Sequence, residues 1–149
     1  MLRVATLDEL LQHKDFEGLV AAYAEECAMA GMPPPKPDLD MYARLEAAGL
    51  MRVVLAEQGD ELLGFAVVLI STIPHYSQVL GVTESIFVAQ KARAGGTGWR
   101  LVKKIEQVVA SEGAIGLLVS APVGGRLADA LFASPEYRHT NVVFFKRFA

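Results

Sequence analysis

The chain has 149 residues, 52% of them hydrophobic, and a formal net charge of −3 at pH 7. Such a length suits one domain, residues 1–149, able to bury roughly two-thirds of its unfolded surface; so mild a charge excludes nucleic acid as the main partner. The longest apolar run, Leu62 to Ile70, falls short of the ~20 residues a membrane span needs. The N-terminus carries Arg3, Asp8 and Glu9 rather than an apolar signal segment. Cys27 is the single cysteine and cannot form an internal disulfide, so the chain reads as cytoplasmic.

Residues 2–5 suit a short first strand. Thr6-Leu7-Asp8-Glu9 is a capping box, a hydroxyl N-cap with Glu at the third helical position. The helix that follows places Phe16, Leu19, Val20, Tyr23 and Cys27 on one face, with a break expected near Gly18. Gly31 and the run Pro33-Pro34-Pro35 stop it, because proline removes the amide donor and clashes with the preceding turn. Asp38 restarts a short helix through Met41, Leu45 and Ala48, ended by Gly49. Residues 51–57 and 61–71 predict an antiparallel hairpin turned by Gly59-Asp60. The loop at 72–77, with His75 and Tyr76, precedes a central strand that begins near Val79 and runs to Val88. It is therefore expected beside the strand of Glu84, facing the same cleft.

That strand breaks into Arg93-Ala94-Gly95-Gly96-Thr97-Gly98. Three glycines allow a tight turn and a close backbone approach to a ligand. Beyond it, Leu101, Val102, Ile105, Val108 and Val109 recur at the spacing of one helix face. A turn of this kind aims unpaired N–H groups and the positive end of a helix dipole at one point, an anion cradle suited to a diphosphate. No Lys-Ser or Lys-Thr pair follows the last glycine, which excludes the Walker pattern. Leu101 stands where a dinucleotide fingerprint needs its third glycine. After the helix, residues 115–119 read as a short buried strand. Pro122, Gly124 and Gly125 then turn into a helix with Leu127, Ala130 and Leu131 inward, stopped by Pro135. Residues 142–145 form the expected last strand, an apolar edge able to pair across a homodimer.

Arg93, Gly96 and Gly98 fit Arg-x-x-Gly-x-Gly, five residues after the strand ends at Val88. This resembles the coenzyme A pyrophosphate loop of the GNAT superfamily of acyl-CoA-dependent N-acyltransferases. The likeness extends to an acidic residue (Glu84), the strand Ile86-Phe87-Val88 and the amphipathic helix; Gln90 replaces a common proline. It implies an α/β fold with a mixed, mostly antiparallel sheet flanked by helices and splayed between the fourth and fifth strands. It also implies acetyl-CoA as cosubstrate and a small-molecule or protein amine as acceptor. The first two helices would help to select that acceptor.

On that resemblance, backbone amides near Phe87 and Val88 would meet the acyl carbonyl and stabilise the oxyanion. The loop Arg93, Ala94, Gly95, Gly96, Thr97 and Gly98 would hold the cofactor, and Glu84 would be the general base. Strand alternation puts Glu84 on the same side as Ile86 and Val88. The tyrosine that protonates the leaving thiolate in many relatives aligns with Phe132, which has no proton to give. Tyr137 is the substitute, with Tyr76 behind it. His75 and Tyr76 are candidate acceptor contacts. Each has a plainer reading: a solvated carboxylate for Glu84, a packing ring for Tyr137, a surface ion pair for Arg93. His13, His75 and His139 lack metal-ligand spacing, and no metal is expected. Two rival functions stand beside the acetyltransferase: a non-catalytic acyl-CoA-binding or regulatory domain, and an interaction domain whose glycines serve only a turn.

Overall fold

A computed structural model describes residues 1–148. Strand β1 (Leu2–Ala5) leads through α1 (Leu7–Leu11), α2 (Phe16–Glu26) and α3 (Leu39–Ala47) to the hairpin β2 (Met51–Gln58) and β3 (Glu61–Ile73). Strand β4 (Gln78–Val88) follows, then α4 (Thr97–Ser111), β5 (Leu117–Leu118) and α5 (Arg126–Ala133). The sheet order is β1-β2-β3-β4-β5. All neighbours are antiparallel except β4 and β5.

Both faces of the sheet are covered, so its central strands are apolar on both sides rather than alternating with polar residues. Val53, Leu55, Phe65, Val67 and Phe87 pack under α1, α2 and α3, with Tyr23, Tyr42 and Leu45 completing that layer. Val54, Ala66, Val68 and Val88 face the other way, against Leu101, Ile105 and Val109 of α4. The capping box is present as expected: Thr6 accepts from the Glu9 amide at 3.2 Å, and Glu9 accepts from the Thr6 amide at 2.8 Å.

On α3 the inward residues are Tyr42 and Leu45, while Met41 is exposed. Several expectations need correction. The first helical region breaks before Phe16, not at Gly18, because the Asp15 carboxylate accepts from the Leu62 amide of β3 at 2.9 Å. The strand expected over 115–119 shrinks to Leu117–Leu118, and Ile115 is exposed rather than buried. No strand forms at 142–145. With so short a β5 there is little ladder for another strand to extend. That segment instead passes over the α2–α3 connection, where Phe145 meets Gly31 and Arg147 donates to the Gly31 carbonyl at 3.3 Å.

Candidate active site

The register of β3 on β4 carries one irregularity. Val68 opposes Thr83 and Val67 opposes Ser85, so Glu84 has no partner of its own. One extra residue in one strand is a β-bulge, and it breaks the two-residue alternation of faces. Ile86 and Val88 face α4, but Glu84, expected on their side, does not join them. It turns toward the α2–α3 layer, where the Tyr42 hydroxyl donates to its Oε1 at 2.6 Å. Local alternation assigned the wrong side because the bulge lies between Glu84 and Ile86.

Two phenols flank this exposed carboxylate. Burial and the hydrogen bond to Glu84 push the Tyr42 phenol well above its ordinary value. Burial and the Glu84 charge do the same, less strongly, at Tyr23. Both rings are therefore neutral O–H donors at physiological pH. Tyr23 also packs edge-on against Phe87, ring centroids 5.6 Å apart. Tyr42 was not among the candidate residues from the sequence. Its signal was its place three residues before Leu45 on the packed face of α3.

Beside the bulge the sheet opens. Strand β5 pairs with β4 only at Gly81–Leu117 and Val82–Leu118. One further link follows, from the Ser120 amide to Thr83 Oγ1 at 3.0 Å. From Glu84 to Val88 the edge of β4 has no neighbouring strand. The peptide orientation there follows from one bond: the Ala89 amide donates to the Leu63 carbonyl of β3 at 2.8 Å. Peptide groups alternate along a strand, so the N–H and C=O of Val88 both point away from β3, into the opening. Phe87 and Val88 are buried.

The glycine turn lies just past this edge. A single 3₁₀ turn over Gln90–Ala92 leads to Gly96, whose φ of 73° is a left-handed conformation that L side chains rarely adopt. Helix α4 starts at Thr97, and the amides of Thr97, Gly98 and Trp99 precede its first internal donor, the Arg100 N–H, which bonds the Gly96 carbonyl at 3.1 Å. Arg100 folds back over the turn, donating to the Gly95 carbonyl at 2.5 Å and to Thr97 Oγ1 at 3.0 Å. A cleft of about 320 Å³ opens beside it, lined by Lys91, Gly95, Thr97 and Arg100 together with Gln58, Leu63 and Glu61, whose carboxylate pairs with Lys91. Arg100 and the amides without an intrahelical acceptor at this helix start have the chemistry to receive an anion.

Arg93 behaves differently from its neighbours. Its Nε donates to the Val88 carbonyl at 2.9 Å and its Nη2 to Glu26 Oε2 at 2.7 Å, with the guanidinium 5.3 Å from the centre of the Phe87 ring. The side chain is thus directed at β4 and α2, not at the glycine turn. Glu26, at the end of α2, is a second residue that the sequence did not single out. Its partner lies 67 positions away, and no local pattern announces such a pair.

The remaining candidates lie apart. His75 and Tyr76 form the β3–β4 turn, ring centroids 4.8 Å apart, with Tyr76 exposed. Glu84 lies six positions beyond Gln78 along β4, about 20 Å of strand, so this turn does not share Glu84's cleft. Tyr137 packs against Trp99 and donates to Glu106 Oε1 of α4 at 2.6 Å. Burial and that bond raise its phenol well above the ordinary value. It lies on the α4 face, whereas Glu84 lies on the opposite one. Phe132 is exposed on α5. Among the described residues no cluster of His, Cys, Asp or Glu could hold a metal ion, and no helix is long and apolar enough to cross a membrane.

Comparison with known proteins identifies the family and the fold. Residues 16–133 match the family model described as Acetyltransferase (GNAT) family. Among solved structures, a ribosomal-protein-alanine N-acetyltransferase from Brucella melitensis biovar Abortus 2308 superposes with a TM-score of 0.73 at 17% identity, covering 100% of this chain and 99% of its own. An aminoglycoside acetyltransferase from an uncultured soil metagenomic sample, solved with sisomicin, gives 0.75 at 16% identity over 100% and 96%. An acetyltransferase from Trypanosoma brucei gives 0.71 at 15% over 99% of both chains. At such identities the likeness establishes the fold. A comparison with proteins of curated function finds no match.

Proposed function

Since the chain belongs to the GNAT acetyltransferase family, we propose that it transfers the acetyl group of acetyl-CoA to a primary amine by direct attack in a ternary complex. The observation that carries this reading is the free edge of β4. There the Val88 amide points into the opening beside β5, next to the helix start of α4. In this reading the amides of Thr97, Gly98 and Trp99, with Arg100, hold the diphosphate of the cosubstrate. Gly95, Gly96 and Gly98 keep the backbone uncovered for it; a Cβ on Gly96 would be strained by its positive φ.

Val88 N–H then donates to the carbonyl oxygen as negative charge develops on it. A donor fixed beforehand in a water-poor gap needs no reorganisation during the reaction. Glu84 accepts the proton of the attacking amine, directly or through water. Tyr42 keeps that carboxylate turned toward the α2–α3 side, where the acceptor would enter. A carboxylate between two phenols favours a cationic amine, attracted by charge and by the ring faces. Small amines and protein amines both fit that description, and structural neighbours are named for a ribosomal-protein alanine and for an aminoglycoside. We place the reaction in the cytoplasm, a reading supported by a chain whose single cysteine, Cys27, is free.

Titration of the purified protein with acetyl-CoA and with free coenzyme A tests this by calorimetry. Micromolar binding, about −8 kcal/mol, is the expected result, followed by thiol release with a panel of amines. A folded sample that binds neither ligand refutes the assignment. A second reading, a coenzyme A-binding domain without turnover, is favoured by the exposed Phe132 and by the commitment of the Tyr137 hydroxyl to Glu106. Binding with no thiol release from any amine would select it.

A further inference from the structure

Arg93 opens the glycine motif, yet its side chain spans from the end of α2 to the end of β4. The geometry points to Arg93 as a positioning residue for the Val88 peptide, anchored by Glu26, rather than as a ligand of the cosubstrate's phosphates. This inference rests on the acetyltransferase reading, in which Val88 N–H is the oxyanion donor.

The Val88 carbonyl lies on the same edge of the strand as its N–H. Left bare, that oxygen would present its negative end beside the place where an oxyanion forms, opposing the donor next to it. The Arg93 Nε bond at 2.9 Å satisfies the oxygen and sets a positive charge there instead. The bond also fixes the tilt of the last peptide of β4, which no strand holds from the β5 side. On its other side, Arg93 is held in two ways: by the Glu26 carboxylate at 2.7 Å and by the Phe87 ring. Its Nε and Nη2 are thereby committed away from the glycine turn, which Arg100 already covers. Helix α2 carries both Glu26 and Tyr23, so the same helix that flanks Glu84 braces the oxyanion donor.

Arg93→Met and Glu26→Ala separate this role from phosphate binding. The brace predicts that kcat falls by about 100-fold in Arg93→Met and about tenfold in Glu26→Ala, the scale of a misplaced reacting group. KM for acetyl-CoA and Kd for coenzyme A should stay within about threefold of wild type, since uniform binding is untouched. The double variant should be no worse than Arg93→Met alone, because the two side chains act as one unit. A tenfold or larger rise in KM and Kd for Arg93→Met with kcat retained would identify a phosphate ligand and overturn the brace. An unaffected kcat in Glu26→Ala would overturn it too.

Amide exchange at Ala89 reads the brace without turnover, because that N–H shares a peptide with the Val88 carbonyl and bonds to Leu63. Faster exchange in both variants supports the brace; unchanged exchange overturns it. A wild-type protein that neither binds coenzyme A nor acetylates any amine would refute the proposed reaction, while the exchange result would still decide what Arg93 holds.

Discussion

Gly64 of β3 stands opposite Val88, and a single added methyl there tests the geometry of the opening. A Cβ on Gly64 would lie 2.6 Å from the Phe87 carbonyl oxygen and 3.1 Å from both Val88 Cα and Val88 Cγ2. Two of these are backbone atoms, so no rotamer change relieves the clash. To reach even the 3.0 Å limit of real contacts, the strands must part by about 0.4 Å. Overpacking of this kind costs about 1–3 kcal/mol. At ~2 kcal/mol, the melting temperature of a domain this size should drop by about 4–8 °C. The displaced atoms belong to the proposed oxyanion donor, so turnover should fall further than stability, by about 100-fold at a temperature where the variant is folded. Gly18→Ala is the control: this glycine lies exposed within α2 with nothing within 4 Å of an added Cβ, and its replacement should stabilise by about 0.5–1 kcal/mol. Circular dichroism melts and steady-state kinetics on both variants make the comparison. A Gly64→Ala protein with wild-type melting temperature and turnover would refute the close approach of β3 to β4 at Val88.

Gly96→Glu puts a side chain, with the strain of a Cβ at a φ of 73°, and a negative charge in the proposed anion-binding turn; coenzyme A affinity measured by calorimetry should be lost, and wild-type affinity would remove the turn from the site. Glu84→Gln should lower turnover by about 10²–10⁴-fold, most severely at low pH where free amine is scarce. Tyr42→Phe should cost less, about tenfold, and add little to Glu84→Gln; a rate profile for Glu84→Gln that overlays the wild type across pH would exclude it as the base. The phenols of Tyr23, Tyr42 and Tyr137 are all raised, so the folded state holds their protons more tightly than the unfolded chain. Their contribution is complete below the ordinary phenol value of about 10 and is lost as pH climbs through the raised values. Absorbance titration should show these rings ionising late, and Tyr42→Phe should lose less stability than wild type above that pH; equal losses would contradict the shift.

How far the sequence reveals this molecule depends on the range over which each feature is encoded. The capping box needs only Thr6 and Glu9, three residues apart, and α4 announces itself through Leu101, Ile105 and Val109. The hairpin of β2 and β3 is marked by Gly59-Asp60. These are local facts, and they were legible. Glu84's direction is not local: it depends on how β3 registers against β4, and nothing in residues 83–85 by themselves marks a bulge. Arg93 was legible as part of a motif, but its partner Glu26 is distant in the chain, so its direction was not. Residues 142–145 have the composition of a strand, yet a strand requires a neighbour to bond with, and β5 supplies only two residues. On α3, Met41 and Tyr42 are adjacent and both large; helical spacing alone does not choose between them.

The bulge has a consequence for how this chemistry could come and go. Thr83 and Ser85 already oppose consecutive residues of β3, so a chain one codon shorter at position 84 would keep every other pairing and restore the regular alternation. The loop beyond Val88 would keep its place, and Val88 its partner Gly64. The carboxylate proposed to take the proton is thus an insertion that the sheet tolerates but does not require. A single-residue deletion would leave the architecture standing and strip the candidate base from it, giving a binding fold and a catalytic one separated by a single step.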